Sequence, residues 1–132
     1  EIYSNPVNRF VCEFMGEVNS IAVTRGNGGE LWCESMGAAI TPPSSVETSF
    51  RQGTLMIRPE NMRLVNPDEG RSTNVFSGEL FNEYVLGSRI QYQIRCKSDT
   101  FLVERLREAG LPKSGDQVSF GWSPEDSMLF PE

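Results

Sequence analysis

The chain has 132 residues, carries a formal net charge of −6 and contains no histidine. This length fits one compact domain or two very small barrels that share a core, and it is too short for a catalytic domain with an accessory domain. The acidic charge disfavours nucleic-acid binding, and the lack of histidine excludes Ser-His and Cys-His nucleophile pairs, a His general base and His-bearing metal sites.

The first residues predict a piece of a larger protein, and the cysteines predict buried thiols. No apolar run is long enough to span a bilayer, and the first residues lack the pattern of a signal peptide. The chain begins at Glu1 without a Met, so we expect a fragment of a longer, soluble, cytosolic protein. Cys12, Cys33 and Cys96 are widely spaced among apolar neighbours, which predicts buried free thiols rather than a zinc site or a disulfide framework.

A short helix is predicted at the start of the chain, with Asn8 as its cap and Gly16 as its end. From position 17 the apolar residues alternate, and residues 18–23 and 31–33 predict a hairpin around the glycine-rich turn 26–29. Residues 41–45 have the composition of a loop. Residues 55–57 and 62–64 predict two short strands that meet at Pro59, and a linker is expected over 66–74.

The second part of the chain predicts five more strands, at 75–86, 89–96, 101–105, 117–122 and 128–130, with turns at 87–88 and 113–116. Residues 102–110 also show helical spacing at Leu102, Leu106 and Ala109, followed by Gly110 as a stop signal. We predict a strand there because the neighbouring elements are strands.

An internal repeat is the strongest pattern in the sequence. Pro-Glu-Asn at 59–61 recurs as Pro-Glu-Asp at 124–126, a spacing of 65 that also pairs Leu55 with Phe120, Ile57 with Trp122 and Leu64 with Leu129. Upstream, residues 14–17 match residues 76–79 at a spacing of 62. Each half is too small to bury much by itself, so we predict an all-β fold of small, partly open OB-like barrels built from two halves, about 17–66 and 73–132.

The recurrence of Pro-Glu-Asn/Asp favours a joint between strand and turn over a unique catalytic constellation. Arg58 and Glu60 flank Pro59, so one side chain could reach a partner while the other braces the turn. The alternative is a local solvated ion pair, which would contribute little. We take Arg58, Pro59 and Glu60 as candidate interface or regulatory residues.

Three ordered motifs resemble one known family. Residues 1–19, EIYSNPVNRFVCEFMGEVN, are similar to the segment that leaves the nucleotide-binding domain in ATP-binding subunits of bacterial ABC importers. Residues 53–64, GTLMIRPENMRL, resemble the Arg-Pro-Glu motif of the transport-associated OB-type (TOBE) domain that follows it, and residues 115–126, GDQVSFGWSPED, resemble the closing motif of that domain. The segments 14–19 and 83–87 look closest to the branch that serves polyamines.

The resemblance implies a C-terminal regulatory and dimerisation domain without catalysis of its own. Residues 1–16 would join it to a missing nucleotide-binding domain, and 17–132 would form the regulatory domain. ATP and Mg²⁺ would bind in that missing domain, because Gly26–Gly29 lacks the spacing and the lysine of a phosphate-binding loop and is better explained as a hairpin turn. The implied partners are the protein's own nucleotide-binding domain, a second ATPase subunit and membrane permease subunits, on the cytoplasmic face of the bacterial plasma membrane.

Two other functions remain open at this point. An independent small-ligand-binding module of the same fold, sensing an anion, a metal or an amine, would need a cleft between the halves. An oligonucleotide-binding barrel would need a basic groove, which the net charge opposes. Glu79, Glu83 and Tyr84 could form an acidic and aromatic cradle for a cationic amine, although acidic strand faces are usually only solvated. Trp32, Trp122 and Phe130 are expected in the core, with interface anchors as the alternative.

Overall fold

The computed structural model describes residues 17–25, 30–43, 51–65 and 74–131. Within these ranges the chain forms ten strands and two 3₁₀ turns, the latter at Pro59–Asn61 and Pro124–Asp126. The strands are β1 Asn19–Arg25, β2 Leu31–Cys33, β3 Ala38–Ile40, β4 Gln52–Ile57, β5 Arg63–Val65, β6 Asn74–Leu86, β7 Arg89–Cys96, β8 Asp99–Leu106, β9 Gln117–Trp122 and β10 Ser127–Pro131. The all-β class is confirmed, whereas the predicted N-terminal helix lies outside the described residues.

The strands form two antiparallel sheets of five strands each, with the orders β10-β4-β1-β2-β3 and β5-β9-β6-β7-β8. Each strand from β1 to β5 corresponds to the strand five places later in the chain. With β1 matched to β6, β4 to β9 and β5 to β10, the two sheets have the same strand order. Five strands is also the number in an OB fold. The fold is therefore a duplicated unit, as the sequence repeat predicts.

The two halves exchange their last strands. After β4 the chain crosses through its 3₁₀ turn, and β5 pairs with β9 of the other half. After β9 it crosses through the equivalent turn, and β10 pairs with β4. Leu55 lies opposite Leu129 and Phe120 lies opposite Leu64, so the spacing of 65 holds in the register of both sheets. Neither sheet is complete without a strand from the other half.

Two buried asparagines make a second reciprocal link. Asn19 begins β1, and its side chain donates to the carbonyl of Leu102 at 2.9 Å and accepts from the Leu102 N–H at 2.7 Å. Asn74 begins β6, and its side chain binds both backbone groups of Thr41 in the same way, at 3.0 and 2.8 Å. Leu102 lies in edge strand β8 and Thr41 follows edge strand β3. Each asparagine therefore satisfies backbone groups at an edge of the opposite half.

One continuous apolar core draws on both sheets, because alternation along each strand turns one face inward. In β1, Asn19, Ile21 and Val23 are buried while the residues between them are exposed. Phe101 and Phe120 pack with ring centroids 5.1 Å apart, and Phe76 stacks on Trp122 at 5.6 Å. Buried residues of both halves belong to this one core, so packing joins the halves in addition to the exchanged strands.

The cysteine prediction is confirmed for two of the three positions. Cys33 and Cys96 are free and buried, and Cys12 lies outside the described residues. Burial raises the pKa of the Cys96 thiol, the charge of Lys97 lowers it, and Asp99 and Cys33 raise it. Cys33 and Cys96 act as small apolar core residues.

Most of the predicted strands are confirmed, including all five in the second part of the chain and the hairpin of β1 and β2. Residues 101–106 form a strand rather than a helix, because Phe101 and Val103 are buried alternately against β7. Residues 102 and 106, which suggested the helix, lie on the opposite, more exposed face. Helical spacing arose here from the solvent-facing residues of a strand.

Three predictions need correction. Strand β3 was not predicted, because its Ala-Ala pair has weak strand propensity. Asn74 is the buried first residue of β6 and not part of a linker. The upstream match at a spacing of 62 is wrong in register. Glu79 lies opposite Gln117 and Thr24 lies opposite the equivalent Gln52, so the equivalent of Glu79 is Thr24 and not Glu17.

Candidate functional site

The two Pro-Glu-Asn/Asp segments form nearly identical turns. In the first, the Asn61 N–H donates to the carbonyl of Arg58 at 2.9 Å, and in the second the Asp126 N–H donates to the carbonyl of Ser123 at 2.9 Å. Proline occupies the first position of each turn, where its fixed φ fits and its missing N–H costs nothing. The interpretation as a joint between strands is confirmed, since each turn carries the chain from one sheet to the other.

Strand exchange brings the two turns side by side. Because Ser127 at the start of β10 lies opposite Ile57 at the end of β4, the turn before β10 lies next to the turn after β4. Between them is a pocket of about 290 Å³, which we call the paired-turn pocket. Its lining includes Arg58, Glu60, Asn61, Glu125, Asp126 and Ser127. The sequence predicted each turn but gave no sign that they would meet.

The paired-turn pocket has an acidic rim over a buried cation. Arg58 is only 5% exposed, whereas Glu60 and Glu125 are exposed at the mouth. Asp126 lies 3.8 Å from the guanidinium of Arg63, which is itself well exposed. An acidic rim suits N–H donors and basic side chains of a partner. Of the predicted residues, Arg58 and Glu60 line this pocket and Pro59 is buried behind it.

The three residues of the predicted amine cradle do not share one face of the sheet. Residues opposite each other in an antiparallel pair share a face, and a bulge at Phe81 shifts the alternation along β6. Glu79 lies opposite exposed Arg95, 3.7 Å from its guanidinium, on the outer face. Glu83 lies opposite the fully buried Tyr92, on the inner face.

Tyr84 follows Glu83 and therefore lies on the outer face, 44% exposed. Its hydroxyl accepts a hydrogen bond from the side chain of Asn82 at 2.9 Å. Glu83 is also engaged, because its carboxylate accepts from the Ser114 N–H at 3.1 Å. Amine binding by these residues stays a prediction. Glu79 and Tyr84 lie on the outer face of the sheet, and Glu83 lies on the inner face.

The aromatic residues divide between core and surface. Trp122 is fully buried, as expected, and Phe130 is partly buried. Trp32 is 39% exposed, and its indole N–H donates to Glu34 at 3.2 Å. The expectation of a core position is therefore wrong for Trp32, because the outward positions of β2 face solvent.

A second cavity, which sequence reasoning missed, lies between the segment that follows β8 and the neighbouring strands β5 and β9. This groove has a volume of about 640 Å³ and we call it the β8–β9 groove. Its lining includes Leu64, Arg105, Glu108, Leu111, Val118 and Ser119. Leu64, Leu111 and Val118 are partly buried against the core, so the floor of the groove is apolar. The lining residues come from four separate stretches of chain, around 64–65, 77, 105–112 and 117–119, and no local motif marks them.

Tyr92 lies behind the wall of this groove. Its hydroxyl donates to the carbonyl of Pro112, one of the lining residues, at 3.2 Å. Burial raises the pKa of Tyr92, the charge of Glu83 raises it further, and the charge of Arg105 lowers it. The tyrosine is thus held in its neutral, hydrogen-bonding form.

Neither a metal cluster nor a membrane span is found in the part of the chain that the structure describes. Across 17–25, 30–43, 51–65 and 74–131, no three Cys, Asp or Glu side chains are grouped to hold a metal ion. The same ranges contain no helix that is both long enough and apolar enough to cross a bilayer.

Comparison with known proteins gives one family. The model of the family described as "TOBE domain" matches residues 55–130, more than half of the chain. The match covers both Pro-Glu turns, the exchanged strand β5 and all but the last residue of β10.

Curated relatives match over most of the chain. The putrescine transport ATP-binding protein PotG of Escherichia coli is 27% identical over 98% of this chain and 37% of its own length. The spermidine/putrescine import ATP-binding protein PotA of Pseudomonas fluorescens is 32% identical over 80% of this chain and 28% of its own length. The corresponding PotA of Nitrosospira multiformis is 26% identical over 98% and 38%. The chain therefore spans about a third of the length of these relatives.

Among solved structures, the cytoplasmic molybdate-binding protein ModG with molybdate bound is similar in fold. It superposes with a TM-score of 0.58 over 88% of this chain and 96% of its own, at 13% sequence identity. At that identity the likeness concerns the fold alone.

Proposed function

This chain belongs to the TOBE domain family, and from that premise we propose that it is the C-terminal regulatory and dimerisation domain of the ATP-binding subunit of an ABC importer. The transported solute is a polyamine or a similar small molecule. The domain itself performs no catalysis. ATP and Mg²⁺ bind in a nucleotide-binding domain elsewhere in the full-length subunit.

The observation that carries this proposal is the agreement between the family match and the relatives. The match spans 55–130, and the three relatives described above are all ATP-binding proteins of putrescine or spermidine import. In each of them the aligned region is about a third of the protein, which is the proportion expected of one domain of a larger subunit.

The paired-turn pocket supports a role in subunit contact. Two ATPase subunits must close around ATP, and a domain that holds them in register needs a rigid surface with charges that fix orientation. The pocket is built where the two halves exchange strands, so its walls are braced by both sheets. Its rim carries Glu60, Glu125 and Asp126, whose charges suit a basic side chain of a second subunit or of the nucleotide-binding domain.

The remaining partners and the location follow from the same proposal. The full-length subunit would bind membrane permease subunits and lie on the cytoplasmic face of the plasma membrane. No nucleic-acid partner is proposed, because the chain carries a net charge of −6.

A domain replacement tests the importer role. The matched region of the Escherichia coli putrescine transport protein is replaced with this chain, and putrescine uptake and ATP hydrolysis are measured beside a deletion of the same region. We expect the chimera to retain uptake and the deletion to lose it. A chimera that assembles and folds yet transports no better than the deletion would contradict the proposal.

The same chimera tests the pocket. Reversing charge with Glu60→Lys and Glu125→Lys should lower uptake by about threefold or more, because like charges would face the partner's basic group. Glu30→Lys is the matched control, since Glu30 is also exposed but lies outside the pocket. Equal uptake by all three variants would remove the paired-turn pocket from the interface.

A second candidate function, an independent small-ligand-binding module, is favoured by one observation. The β8–β9 groove has a volume in the range of ligand cavities and an apolar floor. Ligand binding and subunit regulation are compatible in one domain.

A further inference from the structure

The β8–β9 groove combines a hydrophobic floor with one incompletely bonded cation. Its floor is formed by Leu64, Leu111 and Val118, which are continuous with the core. Its volume of about 640 Å³ lies within the usual range for small-molecule sites, about 300–1,000 Å³. Sites of this kind bind the apolar body of a ligand on the floor and fix its orientation with a few polar groups.

Arg105 is the cation of this groove, and one edge of its guanidinium is only half used. Its Nη2 donates to the carboxylate of Glu108 at 2.5 Å. Its Nε is shielded from solvent and has no hydrogen-bond partner among the residues that the structure describes. Nε and Nη2 form the side edge of a guanidinium, the edge that takes one carboxylate through two parallel hydrogen bonds. A shielded donor without an acceptor is uncommon in folded proteins and needs an explanation.

Glu108 is poorly placed to remain the only acceptor. Its side chain is 59% exposed, and that of Arg105 is 35% exposed. An exposed ion pair contributes little to stability, so Glu108 can turn outward at small cost. Glu83 acts on Tyr92, as Arg105 does, but its carboxylate already accepts a hydrogen bond from the Ser114 N–H at 3.1 Å. A carboxylate that accepts from both Nε and Nη2 of Arg105 can therefore replace Glu108 at this edge.

We propose that the β8–β9 groove binds a small organic carboxylate whose hydrocarbon part lies on Leu64, Leu111 and Val118 and whose carboxylate takes the Nε and Nη2 of Arg105. Binding displaces Glu108 and satisfies the unpartnered Nε. This site goes beyond the proposed importer function and does not depend on it, since the groove is contained entirely in this chain.

A titration with hexanoate tests the proposal. Backbone amide shifts of the ¹⁵N-labelled chain are followed by NMR, with acetate as the probe that lacks a hydrocarbon body and hexylamine as the probe with the opposite charge. We expect saturable shifts with hexanoate, centred on 105–112 and 117–119, and weaker binding of acetate and hexylamine. No saturation up to about 10 mM hexanoate, or equal binding of hexylamine, would overturn the proposal.

Three variants separate the role of the paired Nε and Nη2 donors of Arg105 from a general effect of its positive charge. Arg105→Gln should weaken hexanoate binding by about tenfold or more, because two charge-assisted hydrogen bonds are lost. Arg105→Lys should bind hexanoate with intermediate affinity, since lysine keeps the positive charge but lacks the two parallel donors of a guanidinium. Glu108→Gln should tighten binding by up to about fivefold, because the competing charged acceptor is removed.

Arg95→Gln is the matched control. Arg95 also faces a carboxylate, that of Glu79 at 3.7 Å, but it lies on the outer face of β7, away from the groove. Its replacement should leave hexanoate binding unchanged. Hexanoate binding that is unaffected by Arg105→Gln, or equally weakened by Arg95→Gln, would show that Arg105 does not hold the ligand. Neither result would bear on the proposed importer function, which is tested separately by uptake in the chimera.

Discussion

Tyr92 shows how single residues of this chain are tied to the surrounding fold. It is fully buried in β7, yet its hydroxyl reaches the carbonyl of Pro112 beyond β8. Burial and the nearby Glu83 raise its pKa above the usual value of about 10. The neutral phenol is therefore more favoured in the folded than in the unfolded chain. This contribution is complete below about pH 10 and is lost as the pH rises through the folded-state pKa.

Replacement of Tyr92 by Phe should reduce the decrease in the free energy of unfolding that occurs at alkaline pH. The variant should be less stable by about 1 kcal/mol at neutral pH, because the hydrogen bond to Pro112 is missing. Above about pH 10 its free energy of unfolding should fall less steeply than that of the parent. Urea unfolding at a series of pH values measures both effects. Tyr84→Phe is the control, since Tyr84 is 44% exposed; an equal flattening in both variants would refute the role of burial.

At the scale of elements, the decisive feature is that each half depends on polar contacts from the other. The Asn19 and Asn74 side chains occupy equivalent places at the starts of β1 and β6, opposite the last residues of β4 and β9. Each bonds both backbone groups of one residue at an edge of the opposite half. The sequence offered no sign of this, because Asn74 fell at the end of a predicted linker, where asparagine is common, and Asn19 fell inside a predicted strand.

Asn74→Ala should lower the free energy of unfolding by about 2–3 kcal/mol, since two hydrogen bonds of a buried side chain are lost together. Asn19→Ala should have a similar effect. Asn82→Ala is the matched control, because Asn82 also bonds through its side chain but lies on a partly exposed face, and it should cost less than about 1 kcal/mol. Denaturant unfolding gives all three values. If Asn74→Ala lowers the free energy of unfolding no more than Asn82→Ala does, the contact of Asn74 with Thr41 does not stabilise the fold.

At the scale of the whole molecule, exchange of β5 and β10 makes two sequence halves into one folding unit. Without its partner, the first half would lose β10 from β4 and the second would lose β5 from β9. The core also crosses between the sheets, so each isolated half would expose apolar surface that is now buried. A chain of roughly 50–60 residues buries too little surface to tolerate that loss.

The fragments 17–66 and 73–132 should therefore be unfolded when prepared separately, and the intact chain should unfold in one cooperative transition. Circular dichroism and NMR dispersion of each fragment, alone and after mixing, measure this. Recovery of native signals only in the mixture would agree with reciprocal exchange. A cooperative unfolding transition in either isolated fragment would contradict it.

The sequence by itself determined the strand content, the turn chemistry at both Pro-Glu segments and the duplication, because alternation, proline and a repeated spacing are local or simply periodic signals. The repeat motifs also carried the family resemblance that the TOBE match confirms. Only the tertiary structure decided which sheet each terminal strand joins, that the two turns meet in one pocket, and that Arg105 borders a groove floored by Leu64 and Val118. These arrangements depend on pairing between residues far apart in the chain, and the local pattern around β5 or β10 is the same whichever sheet receives it.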